Sequence, residues 1–578
     1  MNNVKIADKF DQIADLLEFK SANPFRVRAY RRGARTIRDL SEPIAAILSD
    51  DERKLTDIDG IGKDLSAKCE TFIETGKIPL LDELLEDIPR TVLDLLRVPG
   101  LGPKKAAAVY QELNVTTLDD LKSACESEQV RSLKGFGAKT EQAILSGLAI
   151  ANAANQRILW SEADAIAAAL VKHMNVNSKI QDMSLAGSYR RGKETVGDLD
   201  LLVVSQDSQH VMDRFAEFPE INAISVRGET KMSVRLESGF QIDLRVVPHT
   251  SFGAALQYFT GSKEHNVALR GLAKKKGLKI NEYGVYKVES DTYVAGETEA
   301  EVYSALDLPW IPPELREARI EFENDEACLP ELIELSDIRG DLHMHTNATD
   351  GKATLSEMVS AAKSQGLKYI AITDHSQRVS MANGLDPQRL LEQWAAIDAM
   401  NQKEGKAFKI LKGIECDILE QGGMDLPDEI LRQADWVLAS IHYGQKQSRQ
   451  QITDRLIGAI QNPHVSAIAH PTGRLINRRE AYDVDLDAVM NATQECGKLL
   501  ELNANPRRLD LNEINCAHAK RLGIPIVINT DAHSVEGLSV MRYGLKQARR
   551  GGLTKKDVAN TWTWPQLKKL IGRNKNVS

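Results

Sequence analysis

A chain of 578 residues with 42% hydrophobic side chains can fill several cores, which excludes description as one small domain. A formal net charge of −8 excludes a protein that coats nucleic acid through its overall charge, so affinity for phosphate must come from local clusters. The six cysteines show no CxxC or framework spacing, and the chain has neither an apolar run of membrane-spanning length nor an opening signal segment, so a reduced, cytoplasmic setting is expected.

Residues 1 to about 150 read as short helices between glycine turns, with Ile13, Leu16 and Leu17 at helical spacing. Arg26, Arg28, Arg31, Arg32, Arg35 and Arg38 form one basic island, and Lys274, Lys275, Lys276 and Lys279 form another; solvated helix faces are the alternative for both. Three turns resemble one another: Ile58-Asp59-Gly60-Ile61-Gly62-Lys63, Val98-Pro99-Gly100-Leu101-Gly102-Pro103 and Leu133-Lys134-Gly135-Phe136-Gly137-Ala138. Each places a hydrophobe between two glycines and then opens a helix, so backbone N–H groups at Gly60, Gly62, Gly100, Gly102, Gly135 and Gly137 can face a phosphate. Tight turning between helices is the alternative.

Residues 155–310 change to mixed α/β character, with strands predicted over 199–204 and 240–247. A Pro/acid-rich stretch, 308–335, reads as a linker. Beyond it, strand-like runs at 369–372, 436–441, 466–469, 499–502 and 526–529 alternate with helical stretches, the pattern of a β/α barrel whose strand ends gather functional side chains.

Asp198 and Asp200 stand at i and i+2, which puts both carboxylates on one strand face, and Asp243 lies in a second strand between Ile242 and Leu244. Three such carboxylates can hold two divalent ions, one activating a 3′-hydroxyl and one neutralising a triphosphate. The preceding Gly187-Ser188 turn can wrap that triphosphate, with Ser188 offering its hydroxyl and Arg191 a guanidinium fork. Tyr258-Phe259-Thr260-Gly261-Ser262, followed by Asn266 and Arg270, suits a base-and-sugar platform, with aromatic packing as an equal alternative.

A second series begins at Asp341-Leu342-His343-Met344-His345, where a strand end would direct both imidazoles to one centre. It continues through Asp350, His375, Glu415, His442, His470, Asp531 and His533, a donor set that suits Zn2+, Mn2+ or iron. Arg474, after Ala469-His470-Pro471-Thr472-Gly473, can hold a phosphate, with a salt bridge as the equal alternative.

The GSYRRG and GDLD strings resemble the family X DNA polymerases, and the resemblance extends through roughly the first 315 residues. It implies Mg2+ or Mn2+ on Asp198, Asp200 and Asp243, with Tyr258 beside the incoming sugar, Asn266 on the base and Arg270 toward the template. Gln241 departs from the arginine that animal repair members often place two residues before the third aspartate. Lys68 and Tyr30 match a lyase lysine and its accompanying tyrosine, although Leu80 replaces a helper lysine and a solvated Lys68 is the stronger alternative. The second series resembles the PHP (polymerase and histidinol phosphatase) domain over residues 336–578, which implies all nine residues as ligands for two or three Mn2+, Zn2+ or iron ions. Asp350 stands where relatives can use glutamate.

The expected architecture is multidomain: a helical DNA-binding domain over 1–90, a helix-hairpin-helix fingers-like region over 91–150, an α/β nucleotidyltransferase palm and thumb-like region over 151–315, a linker over 316–335 and a distorted β/α PHP barrel over 336–578. The resemblance implies a monomeric repair enzyme that adds dNTPs at short gaps in primed duplex DNA, with metal-dependent 3′–5′ exonuclease action in the barrel. Abasic-site endonuclease or lyase action, coupling to DNA ligase and a nucleoid-associated, cytoplasmic location belong to the same expectation. The alternatives are a barrel acting as a phosphatase, or a DNA-binding scaffold with structural metals.

Overall fold

In the computed structural model of the chain, residues 3–38, 44–48, 53–58, 60–89, 91–96, 98, 100–176, 179–319, 321–322, 329–405 and 407–573 are described. Asp59 and Pro99 of the glycine turns, the Arg35 and Arg38 side chains of the basic island, and residues 320 and 323–328 of the expected linker lie outside the described residues. The chain divides into two compact units, residues 1–156 with 477–479, and residues 157–476 with 480–578. No helix among the described residues is long and apolar enough to cross a membrane.

The first unit is helical, with α1 (Asn3–Phe19), α2 (Pro24–Arg38), α3 (Lys63–Thr75), α4 (Pro103–Leu113) and α5 (Ala138–Gln156) joined by shorter helices. Apolar residues from Ile6 to Leu148, among them Phe10, Leu65, Leu95 and Ile144, bury into one continuous core. The first glycine of each Gly-x-Gly turn is left-handed, at φ 94° for Gly60, 89° for Gly100 and 85° for Gly135, a conformation that a Cβ would strain. The second glycine leads into the following helix: Gly62 and Gly102 are the N-caps of α3 and α4, and Gly137 directly precedes α5. A Cβ at Gly62, Gly102, Gly135 or Gly137 would meet nothing within 4 Å, whereas one at Gly60 would stand 2.6 Å from Thr36 Oγ1 and one at Gly100 3.7 Å from Ala143, so the third turn is open at both glycines and the first two at the second.

The second unit begins with a five-stranded sheet, made from β1 (Asp182–Leu185), β2 (Asp198–Val204), β3 (Ile221–Arg227), β4 (Lys231–Leu236) and β5 (Gln241–Val247) in the order β1-β2-β5-β4-β3. β2 and β5 run parallel at its centre, and Leu199, Leu201, Ile242 and Leu244 anchor their apolar side. Between β1 and β2 lies α6 (Gly187–Arg190); beyond β5 come α7 (Phe252–Thr260) and α8 (Lys263–Lys275), then a small three-stranded antiparallel sheet. The stretch expected to be a linker is packed where it is described. Arg316 is fully buried, paired with Glu299 at 2.6 Å, and Ile333 joins the core of the following domain.

That domain is a nearly closed parallel barrel of seven strands in sequential order: β6 (Gly340–Asp341), β7 (Tyr369–Ile372), β8 (Lys409–Asp417), β9 (Trp436–Ser440), β10 (Ala467–Ile468), β11 (Leu499–Asn503) and β12 (Ile526–Asn529). A parallel bridge between Met344 and Ala532 links the segments that follow the first and last strands. Side chains alternate as the pleat requires: Ile370, Ile410, Ile414, Leu500 and Ile528 join one apolar cluster, while Tyr369, Leu411, Trp436, Leu499 and Val527 join a second on the opposite face.

Candidate active sites

The parallel pairing of β2 and β5 sets Asp200 directly opposite Asp243, with Asp198 opposite Gln241. The three acids therefore share one face at the start of two central strands. Burial and the neighbouring Asp198 and Asp243 push the Asp200 carboxyl up to about 7, and burial with Asp243 raises that of Asp198. Three half-buried carboxylates on one face, two of them raised by burial and neighbouring negative charge, are a demand for cations, which fits divalent metal ions. Gln241 stands in the place of the expected arginine and puts Nε2 3.2 Å from both Asp243 oxygens, a neutral donor where a cation would compete with metal.

Gly187 sits against this face at φ 65°, where a Cβ would stand 2.4 Å from Asp200 Oδ2. The next residue, Ser188, has a buried hydroxyl without a hydrogen-bond partner, as an anion-binding donor requires. Arg191 is already engaged, through Nε to Glu317 at 3.0 Å and Nη1 to the Thr260 carbonyl at 2.7 Å, and Arg190 is clamped on Glu299 at 2.7 and 2.8 Å. Tyr258 packs edge-on to Phe259. Asn266 donates to the Tyr258 carbonyl at 2.7 Å and accepts from Gln257 at 2.9 Å, close against Gly261. Arg270 is exposed, donating to the Asn266 carbonyl at 3.1 Å.

In the first unit Lys68 forms an ion pair with Asp64, which also accepts from the buried Tyr30 hydroxyl at 3.1 Å. Burial works to deprotonate Lys68, but the Asp64 and Tyr30 hydrogen bonds outweigh it and hold the ammonium above its usual pKa. That is opposite to the shift a Schiff-base nucleophile needs.

The barrel gathers the nine residues of the second series beyond or near the C-terminal ends of its strands. His343, His345 and Asp350 follow β6, His375 follows β7, Glu415 lies within β8, His442 follows β9, His470 follows β10, and Asp531 and His533 follow β12. Glu415 is the hub, since its Oε2 lies 3.4 Å from His343, 3.6 Å from His345 and 2.8 Å from His375, while Oε1 lies 3.5 Å from His442 and 3.0 Å from His470. Asp531 meets His345 at 3.2 Å, and Asp350 bridges His375 at 3.6 Å and His533 at 3.4 Å. Three overlapping groups draw their ligating atoms within 4.8 Å: His345 with Asp350, His375 and His533; His343 with His345 and Glu415; and His375 with Glu415 and His442.

These donors fit metal ions. His343 Nε2, both His345 ring nitrogens and Glu415 Oε2 are buried without a hydrogen bond, a costly arrangement unless a cation satisfies them. Burial would neutralise His343 and His375, yet Glu501, Asp531 and Glu415 hold the first well above the imidazole range, and Glu415 with Asp350 hold the second at about 10. Burial together with His533 and His375 pushes His345 down to about 4. The buried acids thus call for more positive charge than the imidazoles comfortably supply.

Two carboxylates outside the recognised motifs complete the centre. Glu501, on β11 and fully buried, accepts from His343 Nδ1 at 2.7 Å and from the His470 backbone N–H at 2.7 Å. Asp417 lies 3.2 Å from His442 Nδ1 and accepts its backbone N–H at 2.9 Å. Each leaves Nε2 of its histidine to face the cluster. The signal in sequence is periodicity: Glu501 and Asn503 share a strand face with Leu499, as Asp417 does with Glu415. Arg474 is spent elsewhere, on Glu194 at 2.7 Å and the Leu509 carbonyl at 2.5 Å, whereas Arg508 Nε lies 3.7 Å from Asp531.

Family models match along the chain: a helix-hairpin-helix domain over 1–78, a SAM-like helix-hairpin-helix tandem over 92–149, a DNA polymerase beta palm over 157–227, a DNA polymerase beta thumb over 255–317 and a PHP domain over 341–505. The chain is 40% identical to the DNA polymerase/3′-5′ exonuclease PolX of Bacillus subtilis (strain 168), over 99% of this chain and 100% of that protein. It is 31% identical to a probable phosphatase of Thermoanaerobacter sp. (strain X514), over 38% of this chain and 89% of the relative, and 24% identical to DNA polymerase lambda of Rattus norvegicus, over 54% and 56%. With polymerase, helix-hairpin-helix and PHP domains in one chain and full-length similarity to PolX, the protein belongs to the family X DNA polymerases that carry a C-terminal PHP domain.

Proposed function

We propose that this chain adds dNTPs to the primer end of short gaps in duplex DNA and shortens 3′ ends in its barrel, serving DNA repair. The observation that carries the reading is the presence of two distinct cation-demanding centres, the Asp198/Asp200/Asp243 face and the Glu415-centred cluster, in a chain similar end to end to a polymerase/exonuclease. At the first centre, Mg2+ or Mn2+ would be held by the three aspartates and supply charge neutralisation for an in-line displacement. Ser188 and Arg191 receive the triphosphate, Tyr258 and Gly261 line the sugar, Asn266 meets the base and Arg270 the template. The glycine pairs 60/62, 100/102 and 135/137 grip DNA backbone through their N–H groups, which is sequence-independent binding.

At the second centre, two or three Mn2+, Zn2+ or iron ions would be held by His343, His345, Asp350, His375, Glu415, His442, His470, Asp531 and His533, and supply Lewis acidity for phosphodiester hydrolysis. Glu501 and Asp417 orient two of those imidazoles. Arg508, beside Asp531, is better placed than Arg474 to meet a phosphate. In this reading helical regions over 1–90 and 91–150, a palm and thumb-like region over 151–315 and the barrel over 336–578 share the work, in a monomer that acts in the cytoplasm near the nucleoid and hands filled gaps to a DNA ligase for sealing. Extension and shortening of a labelled primer on gapped duplex, with and without dNTPs, test the reading.

A second reading, hydrolysis of small phosphomonoesters by the barrel, is favoured by the similarity of 38% of the chain to a probable phosphatase. Release of phosphate from a small ester at rates matching 3′-end shortening would support it.

A further inference from the structure

Behind the loop that carries Ser188 and Arg191 lies a buried ion network whose far side is built by the barrel domain. Glu317, the partner of Arg191, does not depend on it alone: Oε1 also accepts from Arg550 Nη1 at 3.1 Å, and Oε2 lies 3.4 Å from Lys193 Nζ. Arg550 ends α9 (Met541–Arg550), and its side chain is fully buried. Its Nη1 donates as well to the Arg191 backbone carbonyl at 2.9 Å, and its Nη2 to Glu513 at 2.8 Å. Loop and helix touch closely here, since a Cβ on Gly192 would stand 2.9 Å from Lys546 of α9.

We infer that Arg550 is a positioning residue for nucleotide addition: it fixes the Arg191 backbone and shares Glu317, so that Arg191 can leave Glu317 for an incoming triphosphate. A buried carboxylate that loses its sole cation is left uncompensated and resists the exchange. Glu317 keeps Arg550 and Lys193 when Arg191 departs, so the exchange costs little, and the guanidinium gains a charge-assisted bond to phosphate. The barrel thereby tunes nucleotide affinity at a centre to which it contributes no ligand. This rests on the reading of Arg191 as a triphosphate contact.

The test is single-nucleotide gap filling by the full chain across a dNTP titration, with Mn2+-dependent 3′ shortening as the second readout. Arg550→Met is expected to raise KM for dNTP about tenfold, with kcat within about threefold and shortening within about twofold of the unaltered protein. Adding Glu317→Gln should restore most of the KM, because the overbinding anion is gone; a merely structural role for Arg550 would not be reversed in this way. An unchanged KM in Arg550→Met, or no recovery in the double variant, overturns the inference. If Arg550→Met does not fold, Arg550→Lys with and without Glu317→Gln carries the same comparison with the same deciding outcomes. Arg191→Ala separates the two failures. A normal KM there defeats the Arg191 reading itself, whereas a raised KM beside normal Arg550 variants defeats the coupling alone.

Discussion

Glu501 Oε1 accepts the His343 Nδ1 proton at 2.7 Å, so the imidazole that opens the metal series is held with Nε2 toward Glu415 and Asp531. A carboxylate behind a metal-binding histidine fixes its tautomer and raises its basicity, and losing it typically weakens metal binding about 10- to 100-fold. Glu501→Gln is therefore expected to shift the Mn2+ requirement for 3′ shortening upward by that factor, with activity recovered at saturating Mn2+ and nucleotide addition unchanged. A Mn2+ titration of both activities checks it.

Asp200 makes the ion-free protein sensitive to pH. Its folded pKa of about 7 lies above the unfolded carboxylate value of 3.8, so between these values the folded state binds more protons than the unfolded one. Stability from this group is present below about 4 and is lost as pH rises toward 7. Asp200→Asn should flatten that slope and stabilise the ion-free protein at pH 8 by about 1–3 kcal/mol while abolishing nucleotide addition. Thermal unfolding at pH 6 and pH 8 in the presence of a chelator measures it, and divalent ions should remove the difference.

Gly187 admits no side chain. Its φ of 65° and the 2.4 Å gap between a built Cβ and Asp200 Oδ2 mean that Gly187→Ala strains the backbone and displaces a metal carboxylate together. Primer extension should fall by at least about 100-fold, since one misplaced reacting group costs that much. Barrel hydrolysis should be untouched.

Burial disfavours the Lys68 ammonium, but the Asp64 and Tyr30 hydrogen bonds outweigh it and keep the neutral amine scarcer than in an ordinary lysine. Borohydride trapping on a 5′-deoxyribose phosphate end is expected to be weak, and Asp64→Asn to increase it several-fold by lowering the Lys68 pKa. Strong trapping that survives Lys68→Ala would assign the chemistry to another amine.

Much of the centre is legible because its residues sit on regular elements. The strands expected at 369–372 and 526–529 coincide with β7 and β12, and 199–204 differs from β2 by one residue, since alternation and apolar runs report burial on a pleated sheet. β8 is hidden in the sequence: Lys409, Lys412 and Gly413 interrupt its apolar run, although Ile410, Leu411, Ile414 and Cys416 are all buried. The partners of the arginines are illegible for a different reason. Arg191 meets Glu317 across 126 residues of sequence and Arg474 meets Glu194 across 280, and nothing local in the chain encodes a pairing made by tertiary packing. The packing of the stretch read as a linker is illegible likewise, because its acids Glu314 and Glu317 are paired by Arg549 and Arg550 from far along the chain and its own Arg316 is buried on Glu299.

The most direct test of two independent centres follows a 5′-labelled primer in a one-nucleotide-gapped duplex with Mn2+, with and without dNTPs, in the unaltered protein and in Asp243→Ala and His343→Ala. The expected result is extension with dNTPs and 3′ shortening without them, with only extension lost in Asp243→Ala and only shortening lost in His343→Ala. Loss of both activities in either variant, with folding intact, would contradict the division of the chain into two centres.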